Sequence, residues 1–342
     1  MTFFSRLSIR KSDHSRPHRE GGEWVLFLLL LLAACNGGDR GLTAEEQAAR
    51  DSAALHIAIM PVADCLPFYY AQRTGIFDSL GVDVRVHSLQ AQLDTDTALL
   101  RRHAHLAYSD LVRAVVIQAD DTFDLRAVAS TEGRLSLITP RRARVRALTQ
   151  LRERMVAVAR HSITDYWSDR LTDTAGLQRD DIFRPQINDV RIRTAMLGNG
   201  TMDAALLPEP YATQMTTVGA RVSLTTDGLS PRLACLVTPT WVLSDSSRVR
   251  QLRLLVRAYD IAAQRLNDRH AADTLSAMLR QLCFVPDTIA DSVALALPRF
   301  VPLKPATESD AQQAAQFMLQ RSRLRKDYKP DTLLSATLFN NR

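Results

Sequence analysis

From Ala54 onward, short apolar runs alternate with amphipathic stretches of helical period, and this alternation narrows the choice of fold more than any other feature. Strands are predicted over residues 55–60, 82–88, 105–108, 125–129, 135–139, 155–159, 202–207, 221–225 and 234–243. Helices are predicted between them: 68–74, stopped by Gly75; 95–102; 111–118, capped by Asp110; and one opened by Thr164 or Asp165 that runs to Thr174 before Gly176. After Leu243 the pattern is helical only. Ser244-Asp245-Ser246-Ser247 opens a long helix to about Asn267, with further helices near 271–282, 287–297 and 307–323. The fold class this predicts is α/β, with mainly parallel sheets flanked by helices and a helical C-terminal part.

Ahead of this region lies an unbroken apolar run, residues 24–32, behind a leader carrying Arg6, Arg10, Lys11, Arg16 and Arg19. Basic flank, short apolar core and small residues before a cleavage point make residues 1–34 a secretory signal. The run is far shorter than the ~20 residues needed to span a bilayer. Its ending, Leu32-Ala33-Ala34-Cys35, resembles the bacterial lipoprotein signal. That resemblance implies lipidation of Cys35 and a lipid-anchored place in the cell envelope, facing the periplasm or the outside; an ordinary signal with a chance cysteine is the competing reading. Residues 35–53, polar and rich in Ala and Glu, read as a tether.

Removal of residues 1–34 leaves 308, enough for one large or two medium domains. The leader carries five basic and three acidic residues, so the whole-chain charge of +6 becomes +4 for the remainder. Basic residues are interspersed with acids and lack aromatic platforms, which argues against nucleic-acid binding. The densest basic stretch, 141–146, reads as a solvated connector between strand and helix. Cys65, Cys235 and Cys283 lie far apart with no CxxC pair, which argues against zinc; one disulfide among them is open, with no pairing favoured. His103 and His105 stand two apart without companion ligands, so no metal and no cofactor is expected. No GxSxG, HExxH, GxGxxG or GxxxxGK[ST] pattern occurs, so no catalytic residue is assigned.

In sheets of this kind ligands sit beyond the carboxyl ends of the strands, where loops and helix N-termini converge. That rule selects 61–69, Ser109-Asp110, 130–133, 161–165 and 208–211. Four of these five segments end at a helix start, where unpaired backbone N–H groups can hold a polar or anionic group.

Two of the selected segments carry recognisable blocks. One is Pro67-Phe68-Tyr69-Tyr70-Ala71-Gln72-Arg73-Thr74-Gly75-Ile76-Phe77, followed by Leu80-Gly81-Val82-Asp83-Val84. The other is Gly200-Thr201-Met202-Asp203-Ala204-Ala205-Leu206-Leu207-Pro208-Glu209-Pro210-Tyr211-Ala212. In this order they resemble the solute-binding proteins of nitrate, sulfonate and thiamine-precursor ABC importers, over about residues 55–268. The resemblance implies a two-lobed periplasmic-binding-protein type II fold: lobe I from 54–137 and 239–342, lobe II from 138–238, with crossings near 137–141 and 234–238. It also implies a monomer that closes on a small-molecule solute by hinge motion and docks on an ABC permease with its ATPase subunits. The chain departs from the family in its first loop, where Asp64-Cys65-Leu66 takes the place of a large aromatic residue. Tyr108-Ser109-Asp110 follows the family pattern only loosely.

The candidate ligand-binding residues are Asp64, Tyr69, Ser109, Thr131, Glu132, Ser162, Thr164, Asp165 and Glu209. Each has a plainer alternative. Asp64 and Asp110 can be caps, Tyr69 can be core, and Glu209 can be a hinge-side acceptor. Among them carboxylates outnumber cations, with Arg134 the one nearby positive charge. Carboxylates with rings suit an aromatic heterocycle or amine, such as a thiamine-precursor pyrimidine, better than a sulfonate or nitrate. Enzymes on the same fold and a surface lipoprotein that binds only protein are the alternatives.

Overall fold

The computed structural model describes residues 43–120 and 123–340. The expected signal segment and Cys35 lie outside the described residues. The described residues up to Arg50 belong to one unit and those from Asp51 onward to another. In the first, Thr43 and Glu46 form a reciprocal capping box that starts the helix Ala44–Ala53. The expected tether is therefore helical over its described part. No helix among the described residues is long and apolar enough to cross a membrane.

The second unit is built on two sheets. Its strands are β1 (Leu55–Ile59), β2 (Val84–Ser88), β3 (Leu106–Asp110), β4 (Leu125–Ser130), β5 (Leu135–Thr139), β6 (Val156–Ala157), β7 (Ala204–Pro208), β8 (Arg221–Thr225) and β9 (Ala234–Pro239). One sheet runs β2-β1-β3-β9-β4 and the other β6-β7-β5-β8. Central strands β3, β5 and β9 are buried along their whole length, polar residues included.

The two-sheet α/β class stands, but the sheets are mixed in direction. β1 pairs parallel with β2 and β3, and β6 with β7. β9 is antiparallel to β3 and β4, and β5 to β7 and β8. β5 and β9 are the strands on which the chain arrives from the other sheet, so they run against their neighbours. The sheet changes lie between Ser130 and Leu135 and between Thr225 and Ala234. The crossings expected near 137–141 and 234–238 thus fall largely on strand residues of β5 and β9.

Two expected strands lose three or more residues, β6 and β9. β9 stops at Pro239, which has no N–H to continue the ladder, and Thr240–Leu243 is helical. Around β6, Met155 and Val158 instead form single bridges to Phe183 and Gln186. The helix Ser246–Leu266, capped by Asp245, packs its Tyr259 ring 4.8 Å from Phe68 of the helix Leu66–Arg73. The C-terminal tail covers edge strand β4, with Ser130 N–H donating to the Lys304 carbonyl at 2.6 Å and Ser335 N–H to Ala127 at 3.0 Å. Cys65, Cys235 and Cys283 are free and buried.

Candidate functional site

The loops that leave the carboxyl ends of β1, β3, β4 and β7 converge on Asp64. This residue sits in the 3-10 turn Ala63–Cys65 directly after β1. Its Oδ2 accepts from the Tyr108 hydroxyl at 2.9 Å, the Thr131 hydroxyl at 2.7 Å and the Gly133 backbone N–H at 3.0 Å. The Tyr259 hydroxyl donates to the Asp64 carbonyl at 3.0 Å. Burial raises the Asp64 pKa above the ordinary carboxylate value, while the three donors and Arg134 pull the other way. Glu209, at the end of β7, is also raised by burial, against bonds from Thr213.

Between these groups lies a cavity of about 30 Å³, lined by Asp64, Tyr108, Gly133, Arg134, Ile163 and Glu209 among others. It has room for water but is an order of magnitude below the ~300 Å³ at which small-molecule pockets begin. The loops of the two sheets are in direct contact around it. Ala63 N–H donates to the Glu209 carbonyl at 2.7 Å. Gly133, at φ +57°, packs so tightly that a Cβ there would stand 2.7 Å from the Ala234 Cβ.

A second carboxylate joins the sheets. Asp110 caps its own helix, Leu111–Ala119, with Oδ1 accepting from Arg113 N–H at 3.0 Å. Its Oδ2 accepts from Ile163 N–H at 3.1 Å, at the first residue of the helix Ile163–Thr174. One side chain therefore occupies the positive ends of two helices, one beside each sheet. Burial raises the Asp110 pKa to about 6, against the Arg113 charge and both backbone donors.

Of the sequence-selected residues, Asp64, Thr131 and Glu209 come together here. Ser109 does not, because side chains alternate along β3: Tyr108 and Asp110 face one way, and Ser109 bonds Asp96 at 2.8 Å on the other. Tyr69 is buried with its hydroxyl on Ser88 at 2.8 Å. Glu132 pairs with Arg134 and Arg232, which ties the two crossing segments to each other. Ser162 is the N-cap of its helix, and Thr164 bonds Ala159 N–H at 2.8 Å. Asp165 accepts from His161 N–H at 2.9 Å, so these three side chains are spent locally. Tyr108 and Gly133 were not among the candidate ligand-binding residues, although 130–133 was a selected segment. The alternation of β3 pointed to Tyr108, and the glycine between two apolar segments marked a close approach.

Comparison with known proteins agrees with this architecture. A family profile described as "NMT1/THI5 like" matches residues 62–232, half of the chain. No curated protein matches. Among solved structures, the alkanesulfonate-binding protein SsuA from Xanthomonas axonopodis pv. citri superimposes with a TM-score of 0.67 at 17% identity, covering 84% of this chain and 97% of that one. The periplasmic nitrate-binding protein NrtA from Synechocystis PCC 6803 gives 0.67 at 14%, covering 82% and 84%. The periplasmic aliphatic sulphonate binding protein SsuA from Escherichia coli gives 0.66 at 16%, covering 82% and 92%. At such identities the likeness is one of fold. Strand order, paired crossings and the profile match together make this chain a member of the NMT1/THI5-like family.

Proposed function

We propose that this chain is an extracytoplasmic solute-binding protein that takes a small molecule between its two sheets and delivers it unchanged to an ABC importer. The sheets would act as lobes, with 131–134 and 226–233 as the hinge. Membership of the NMT1/THI5-like family and the likeness to binding proteins support a binding role over catalysis. Lipidation of Cys35 would hold the protein at the membrane.

The observation that carries the ligand class is the charge at the cleft. Asp64, Asp110 and Glu209 bring carboxylates, while Arg134 is engaged by Glu132, Asp227 and the Arg299 carbonyl. The N–H of Ile163, a natural anion donor, is already taken by Asp110. A nitrogenous solute with N–H donors, such as a thiamine-precursor pyrimidine or an amine, matches this lining. A sulfonate or nitrate, the solutes in the descriptions of the structural relatives, would have to displace Asp110 from the helix N-terminus.

A thermal-shift screen of pyrimidines, amines, sulfonates and nitrate tests the reading. A solute present at 100 times its Kd should stabilise the protein by about 2.7 kcal/mol. Asp64→Asn should abolish the response. A response to anions alone overturns the ligand class, and appearance of a reaction product overturns the binding role.

A further inference from the structure

A second hollow, of about 570 Å³, shares no lining residue with the cavity at Asp64. Arg160, Arg179, Arg184, Arg321, Arg323 and His161 line it. Two stretches of chain build it. Residues 160–184 come from the second sheet's flank, and Arg321 and Arg323 follow the helix Glu308–Gln320. That helix meets the Ile163–Thr174 helix through the Tyr166 and Phe317 rings, 5.1 Å apart, and through Tyr166 hydroxyl to Gln313 at 3.2 Å.

Carboxylates only partly neutralise this ring of guanidiniums. Asp169 pairs with Arg179, Arg184 and Arg321 at once, and Asp165 pairs with Arg179 at 3.4 Å. Arg184 is nine-tenths buried, fixed by Ser168 Oγ at 2.9 Å. Arg321 Nε is buried with no partner among the described residues. The guanidiniums of Arg160 and Arg323 have neither a carboxylate nor a hydrogen-bond partner among the described residues. Five cations against Asp165, Asp169 and Asp180 leave an excess positive charge around the hollow. Guanidinium forks match the paired oxygens of a tetrahedral oxyanion, and water screens such contacts less in a hollow.

We propose that this hollow binds a phosphate-class oxyanion, with Arg160 and Arg323 grasping it over the base formed by Arg179, Arg184 and Arg321. The site is separate from the cleft and does not depend on what the cleft binds. The same chemistry is carried by free phosphate and by the head group of an anionic lipid. His161 reports on occupancy. Burial, then Arg323, Arg321 and Arg113 against an attracting Asp165, hold its pKa below the ordinary value in the empty site. A bound anion should raise it.

The test uses the full chain, with inorganic phosphate and pyrophosphate as probes and the His161 ring followed by NMR, assigned through His161→Gln. Phosphate binding should raise the His161 pKa by about one unit. The double variant Arg160→Ala/Arg323→Ala should weaken binding at least tenfold with an unchanged melting temperature in buffer. Asp64→Asn should leave phosphate binding intact, which separates this proposal from the cleft reading. Vesicles with and without phosphatidylglycerol distinguish the sources: binding that depends on both arginines and appears only with vesicles assigns the head group. No binding by either probe form, equal binding by the double variant, or a stationary His161 overturns the proposal.

Discussion

Asp110 is a carboxylate held in the interior by two backbone donors, and burial still outweighs them. Its folded pKa of about 6 lies above the ordinary 3.8, so the native state holds its proton more tightly than the unfolded chain. The stability it contributes is complete below about pH 4 and is lost as the pH rises through about 6. The shift corresponds to about 3 kcal/mol. Asp64, Asp96 and Glu209 act in the same sense. His105, lowered to about 4 by burial and then by Arg248, acts in the opposite sense. The difference between wild type and Asp110→Asn isolates the residue: urea midpoints between pH 4 and 7 should fall more steeply for the wild type. Parallel curves would mean that Asp110 titrates as in an unfolded peptide.

At the scale of elements, the sequence showed most strands and helix caps and missed how they are used. Asp110 was legible as a cap because a short acceptor precedes an apolar helical run, and 244–247 as a helix start within which Asp245 proves to be the cap. Ser162 was passed over for Thr164 and Asp165, since all three can cap and only the backbone decides among them. Strand direction was not legible, because β5 and β9 have the same apolar composition whichever way they run. The second bond of Asp110, to a residue 53 positions away, has no local signature at all. Gly133 shows what the crossing segment demands. A Cβ there would meet the Ala234 Cβ and approach the Ile163 Cδ1 to 3.3 Å, at a φ that disfavours any side chain. Gly133→Ala should cost about 2 kcal/mol and lower the melting temperature by roughly 5 °C. Differential scanning calorimetry measures both, and an unchanged transition would show that the crossing relaxes freely.

For the whole molecule, the loops around Asp64 meet with about 30 Å³ between them, so a solute can be admitted only if the contacts there first part. Ala63 to Glu209 and Ile163 to Asp110 are the bonds that separation would break. Glu132, paired with Arg232 and Arg134, would keep the crossings together during it. X-ray scattering should therefore record a larger radius of gyration without solute than with it. An identical radius in both states would mean that the sheets do not separate to take up the solute.

Cys65, Cys235 and Cys283 are unpaired and sealed from solvent, and burial raises the pKa of each, so a thiolate forms only when the interior is exposed. Each sulfur is in effect a clock. Alkylation at one position counts the openings of its own neighbourhood, and three such counts would map where the protein breathes first.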